Sequence, residues 1–192
     1  SNTWNAVSNT NAPSARARHT AVWTGSAMVV WGGQGAAALA SGAMYDPATD
    51  TWTATNDVDA PEARADVESV WTGTEMLVWG GQGVSGPVDT GGRFDPLANS
   101  WSATPATNAP QPRYGHSAVW DGTEMIVWGG SNLLDFFASG GRYVPGAVSW
   151  SATSTAGVQD SRYLHRSVWT GAEMIAWGGY ADGFYYAIGD RY

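Results

Sequence analysis

An arginine recurs at nearly constant spacing in this chain, as Arg16, Arg64, Arg113 and Arg162. In three copies a histidine follows three residues later, as His19, His116 and His165, while Val67 takes that place in the second. A guanidinium presents a planar fork of donors that matches a carboxylate. An imidazole can exchange a proton near neutrality or ligate a metal. Gathered at one mouth of a channel, these seven residues would form a positive collar able to capture an acidic peptide or a carboxylate ligand. The same side chains can instead bond loop carbonyls and carboxylates and fix the packing, and their repetition in every copy favours that structural role. A metal site on the three histidines is disfavoured, because they lie one per copy with no second ligand supplied locally.

Aromatic residues form a second group. Leu133, Phe136 and Phe137 share one loop, and Tyr180, Phe184, Tyr185 and Tyr186 share another. The corresponding loops, 34–44 and 82–93, have different contents. Exposed aromatic clusters on loops point to a partner, here a protein or a glycan, or to contact between copies of the chain. The carboxylates carry less information. Glu75, Glu124 and Glu173 stand beside turns and read as solvated, and Asp46 and Asp95 precede proline as turn formers. No carboxylate pair is marked for acid–base work. No Ser-His-Asp set with a nucleophile turn, phosphate loop or dinucleotide fingerprint is found. The reading is a non-enzymatic scaffold without a cofactor that binds a protein or glycan through its loop face; the alternative is a structural module that self-assembles, as a half-ring or as a unit of a larger surface structure.

The elements that carry these residues are set by a repeat. The 12 tryptophans fall into three sets: Trp23, Trp71, Trp120, Trp169; Trp31, Trp79, Trp128, Trp177; and Trp4, Trp52, Trp101, Trp150. Each set advances by 48, 49 and 49 residues, the mark of one supersecondary unit copied in series. In the second copy, Val67–Thr72 is a β-rich run (a) and Gly73-Thr74 a tight turn. Glu75–Trp79 is a second apolar run (b), stopped by Gly80-Gly81. After a loop come Phe94 (c), an Asp-Pro turn, and Asn99–Thr104 (d). Four short strands per unit and no helical periodicity describe a β-propeller. The recurring Met28, Met76, Met125 and Met174 read as core filler and not as metal ligands.

The doublets Gly32-Gly33, Gly80-Gly81, Gly129-Gly130 and Gly178-Gly179 end strand b. An aromatic and a tryptophan seven residues apart follow, as Tyr45/Trp52, Phe94/Trp101 and Tyr143/Trp150, with Tyr192 as a fourth aromatic. With the R-x-x-H entry into strand a, this pattern resembles the kelch repeat over essentially the whole chain. The resemblance implies an all-β, kelch-like propeller of four four-stranded antiparallel blades. It also implies that the arginines lie near one mouth of the channel. Some kelch propellers act on sugars, including bacterial sialic acid mutarotation. The copper oxidases of that group rely on a Cys–Tyr crosslink that a chain without Cys cannot make.

One domain, 1–192, is expected, with blades at about 9–56, 57–105, 106–154 and 155–192. The last is completed by residues 1–8 as an outer closing strand in which Trp4 answers Tyr192. Closure can occur within the chain, as a four-bladed ring, or between two chains that exchange strands in an eight-bladed homodimer. All nine basic residues are Arg, and the net charge is −8, which argues against nucleic acid or an anionic membrane as partner. No apolar run is long enough for membrane insertion as a helix. The start at Ser1 reads as a removed leader or a cut piece, and the composition suits a secreted, cell-surface or periplasmic bacterial protein.

Overall fold

The computed structural model describes residues 2–192. Its regular structure is β throughout, and among the described residues no helix is long and apolar enough to cross a membrane. The first blade comprises β1 (Thr20–Trp23), β2 (Met28–Trp31), β3 (Gly42–Asp46) and β4 (Thr51–Ala54). The second contains β5 (Arg64–Ala65), β6 (Glu68–Trp71), β7 (Met76–Trp79), β8 (Gln82–Gly83), β9 (Gly86–Pro87), β10 (Gly91–Asp95) and β11 (Ser100–Ala103). The third has β12 (Ser117–Trp120), β13 (Met125–Trp128), β14 (Gly140–Val144) and β15 (Ser149–Ala152). The fourth has β16 (Arg166–Trp169), β17 (Met174–Trp177), β18 (Tyr180–Ala181), β19 (Phe184–Tyr185) and β20 (Gly189–Arg191).

The first three blades are four-stranded antiparallel sheets in sequence order, apart from the short β5-β8-β9 ribbon, and the fourth is the three-stranded β16-β17-β20. The first hairpin of each blade is set by its turn. Thr24 N–H donates to the Ala27 carbonyl, leaving Gly25-Ser26 as a two-residue loop. Gly25 has φ 100° while Ser26 is not left-handed, so the one left-handed position of the loop is filled by the residue that adopts it without strain. The Thr24 and Thr72 hydroxyls and the Asp121 carboxylate each accept the backbone N–H three residues on, at 2.7–2.9 Å.

The blades adhere through cores that lie between them. Val29 and Trp31 of the first blade pack with Val67, Met76, Val78, Phe94 and Trp101 of the second. Val70, Leu77 and Trp79 of the second pack with Met125, Val127, Tyr143 and Trp150 of the third. Val119, Ile126 and Trp128 of the third meet only Met174 and Ala176 as buried residues of the fourth. Period-2 alternation makes this two-sided adhesion inevitable, because alternate side chains of strand b reach the preceding and the following blade. Along the axis β1 packs on β6, β6 on β12, and β12 on β16.

Backbone contacts join the blades as well. The Arg64, Arg113 and Arg162 carbonyls accept the N–H of Gly33, Gly81 and Gly130 of the preceding blade, each at 2.8 Å. The same three arginines donate their own N–H to Leu39, Val88 and Phe137 carbonyls of that blade. The glycine doublet makes this clasp close enough. Gly80 has φ 67°, and a Cβ there would lie 2.7 Å from His116 Cε1 and 3.0 Å from the Arg113 carbonyl.

The four blades form an open arc. No contact comparable to those between neighbouring blades joins β1 to β16. Ser1, part of the expected closing strand, lies outside the described residues. Residues 2–7 form no strand, and Trp4 is wholly exposed. The closing pair between Trp4 and Tyr192 is therefore not formed within the chain, and the fourth blade lacks its outer strand.

Replacing Gly80 with Ala should lower unfolding free energy by about 3 kcal/mol, combining left-handed strain with overpacking. Gly73→Ala has φ 105° but open space around the new Cβ, so only about 1 kcal/mol of strain is expected. Denaturant titration of the two variants measures the difference.

Candidate functional site

The structure sends the recurring arginines inward. The Arg64, Arg113 and Arg162 side chains are fully buried. Arg113 donates from Nη1 to the Gly129 and Ser139 carbonyls at 2.9 and 2.7 Å, and from Nε to the Gln111 carbonyl at 3.0 Å. Arg64 repeats this on Gly80, Thr90 and Glu62. Arg162 repeats it on Gly178, Ile188 and Asp160, and adds Asp190 Oδ2 at 2.8 Å. Arg16 makes the same carbonyl contacts in the first blade but is only half-buried, because no blade precedes it. Burial lowers Arg64 and Arg113 to about 10, so both remain charged at neutral pH.

The expected collar is thus a set of internal staples that tie each strand-a entry to the strand-b end and the loop of its own blade. A repeat-wide motif reads the same from sequence whether its donors face solvent or backbone; burial decides.

His116 and His165 are buried beside Trp79 and Trp128, edge to face at 5.5 and 5.0 Å between ring centroids. His165 Nε2 lies 2.7 Å from Ser117 Oγ. Burial, reinforced by the nearby guanidiniums, lowers His116 to about 3 and His165 to about 4, so both are neutral at pH 7. His19 is exposed on the first blade. Among the described residues, no three of His, Asp or Glu converge as a metal would require. The hairpin carboxylates are engaged, not merely solvated: Glu75 pairs with Arg93 at 2.9 Å and Glu124 with Arg142 at 3.2 Å.

The loop aromatics divide into two sets. Phe137 and Tyr186 cover buried guanidiniums, with Arg113 Cζ 4.3 Å from the Phe137 ring centroid and Arg162 Cζ 5.1 Å from that of Tyr186. These two belong to the framework. The others join a chain of rings across the third and fourth blades. Tyr114 meets Tyr163 at 5.9 Å, Phe136 meets Tyr163 at 5.3 Å, Tyr163 meets Tyr180 at 5.7 Å, and Tyr180 meets Tyr185 at 5.1 Å. Leu133, Phe184 and Tyr185 stand in solvent at its margin, together with Leu134.

Local backbone explains the grouping. The residue after each recurring arginine bridges to the residue after the glycine doublet, as Tyr114 to Ser131 and Tyr163 to Tyr180. β18 and β19 are joined by Asp182-Gly183, with φ 50° and 89°, a rigid two-residue loop that projects Phe184 and Tyr185. Tyr114 and Tyr163 are the ring members that sequence reading missed. The signal was present, since the first two copies carry Ala17 and Ala65 at that position. Burial and the neighbouring tyrosines hold the Tyr163 hydroxyl above its ordinary pKa, so it stays protonated as a donor.

The buried imidazoles make stability pH-dependent. Unfolded histidine takes up a proton near pH 6.5 while the folded His116 resists it, so lowering pH below 6.5 favours unfolding, by at most about 1.4 kcal/mol per pH unit for this residue. Glu68, raised to about 7 chiefly by burial, acts oppositely between pH 7 and 4.5, because there the fold favours its protonated form. Net destabilisation should steepen below pH 4.5. His116→Val, which installs the residue of the second copy, should flatten the slope in denaturant titrations from pH 7 to 4.

The profile of the KLHDC2/KLHL20/DRC7 Kelch-repeats domain matches residues 1–179. No curated protein matches the chain. The profile covers the three complete blades and the first two strands of the fourth, with every doublet and every recurring arginine. The chain belongs to the kelch-repeat family, whose domains serve as β-propeller scaffolds for protein interaction.

Proposed function

We propose that the chain is a non-enzymatic kelch scaffold that holds a protein ligand on the loop face of its third and fourth blades. The observation that carries this reading is the chain of rings from Tyr114 to Tyr185, edged by exposed Leu134, Phe184 and Tyr185. Large aromatic side chains on a rigid platform supply contact area at low entropic penalty and dominate binding energies where they occur. The first and second blades carry no aromatic at the equivalent positions, which hold Ala17, Gln34 and Ala38 in one and Ala65, Gln82 and Pro87 in the other, so the face is lopsided, as a site for one ligand would be. A glycan is the second reading, favoured by Asp135 and Asp182, which are exposed on the same two loops and could accept sugar hydroxyls beside the rings. The arginines that a sugar-active site would draw on are engaged by backbone carbonyls, so no catalytic role is given to them.

Peptides selected on the immobilised protein from a random display library test the reading, with a glycan array run in parallel. Binding by the selected ligands should weaken at least tenfold in a Phe184→Ala, Tyr185→Ala variant, with the melting temperature nearly unchanged. Selected ligands whose binding is indifferent to that variant would place recognition elsewhere on the molecule. Phe137→Ala serves as the contrast: it removes the cover of Arg113, so it should lower stability.

A further inference from the structure

The two ends of the arc are complementary halves of a blade junction. Trp31, Trp79 and Trp128 are 0%, 0% and 6% exposed, whereas Trp177, their counterpart in the fourth blade, is 61% exposed. Val168 and Ile175 on the same face are open as well. The first two junctions cover these positions with the next blade's strand-b Met, strand-c aromatic and strand-d Trp, and the third with Met174 and Ala176. The residues of those types with no blade against them are Met28, Tyr45 and Trp52 of the first blade, beside exposed Trp23.

The backbone clasp is also half-made at each end. Among the described residues Gly179 N–H has no carbonyl partner, although Gly33, Gly81 and Gly130 each hold the next blade's arginine carbonyl. A Cβ built on Gly178 meets only the Tyr186 carbonyl at 3.7 Å, where Gly80 and Gly129 face a histidine and an arginine carbonyl. Arg16 and His19 are the unused residues of those types, at the other end of the arc.

A second vacancy lies beside β20. A groove of about 560 Å³ runs between Trp128, Met174 and Tyr192. In the complete blades this place holds the strand-d tryptophan. Trp101 lies 5.2 Å from Trp31 and 5.0 Å from Phe94, and Trp150 lies 5.3 Å from Trp79 and 5.1 Å from Tyr143. The chain carries one more copy of that strand, Asn2-Thr3-Trp4-Asn5-Ala6, which is unpaired. It already leaves the first blade in the required manner. The Ser8 carbonyl accepts Trp52 Nε1 at 2.9 Å, as the Asn56 carbonyl accepts Trp101 Nε1 at 3.0 Å after a genuine strand d.

We propose that two copies of this chain close one eight-bladed ring, each inserting residues 2–8 beside β20 of the other. The same approach seats the first blade of each copy on the open face of the fourth blade of its partner, so strand, clasp and core are completed together. By the register of the third blade, where Tyr143 faces Trp150 and Arg142 faces Ser151, Tyr192 faces Trp4 and Arg191 faces Asn5 of the other copy. Asp190, whose counterparts in the second and third blades are glycines, has its carboxylate turned onto Arg162 and the Gln159 N–H. Ala43, opposite Ala54 in the first blade, is a side chain already accommodated at that position.

The chain contains no cysteine, which permits a direct test. An Asn5→Cys, Arg191→Cys variant, oxidised mildly, should yield a covalent species of two chains, since directly opposed strand residues lie within disulfide reach. A crosslinked single chain would overturn the proposal in favour of a four-bladed ring, and absence of any crosslink would also count against it. Light scattering of the unmodified chain over a dilution series should give twice 20.2 kDa. A monomer, or assemblies of three or more copies, would refute the two-copy ring. Trp4→Ser, at a side chain wholly exposed in the single arc, should return the mass to that of one folded chain.

Discussion

The molecule depends on a buried guanidinium that bonds main-chain carbonyls. A charge removed from water is expensive unless its donors find acceptors, and Arg64 and Arg113 place Nε and Nη1 on main-chain carbonyls at strand ends and loops, of which those of Thr90 and Ser139 also accept the Gly80 and Gly129 N–H. The side chain fixes one blade internally, while the backbone of the same residue reaches both ways into the blade before it. One position thus sets loop shape, strand entry and blade spacing. The glycine doublet follows from it, because only a residue without a Cβ lets the carbonyl and the histidine come so near.

Hydrophobic burial is distributed in the same pattern. No blade has a core of its own; each core is a seam between two sheets. The second and third blades are therefore saturated on both faces, while the first and fourth each keep one face unfinished. The aromatic platform also sits across a seam, with Tyr114 and Phe136 on the third blade and Tyr163, Tyr180 and Tyr185 on the fourth. Its ring geometry rests on the clasp at Gly130 and Arg162 as much as on its own loops.

Much of this was legible in sequence. Tryptophan spacing placed every blade, Thr-Gly and Asp-Gly dipeptides placed the first hairpins, and Gly-Gly marked the strand-b ends. What escaped was direction. Arg113 and Phe137 are distant in sequence, and only the fold reveals that one ring covers the other side chain. Sequence alone gave Phe136 and Phe137 the same role, although adjacent residues face opposite ways. Tyr114 and Tyr163 sit inside a repeat-wide motif, so the sequence marks their place at the entry to strand a and not the cluster of rings they join. The expectation of an exposed arginine collar failed for a related reason: periodicity reports that a residue matters in each unit, and the direction of its side chain is a property of the assembled blades.

Because adhesion resides in the seams, this architecture has a natural unit of growth. Adding or removing one repeat adds or removes one seam and leaves the rest chemically unchanged, so a gene encoding such a chain can lengthen or shorten by whole blades without redesign of any core. Cooperativity is then a property of neighbours. In a single arc with no partner, local opening should begin at the outer faces and advance inward blade by blade, and amide hydrogen exchange would trace that order as a gradient of protection peaking at the central seam; closure into a ring should level that gradient.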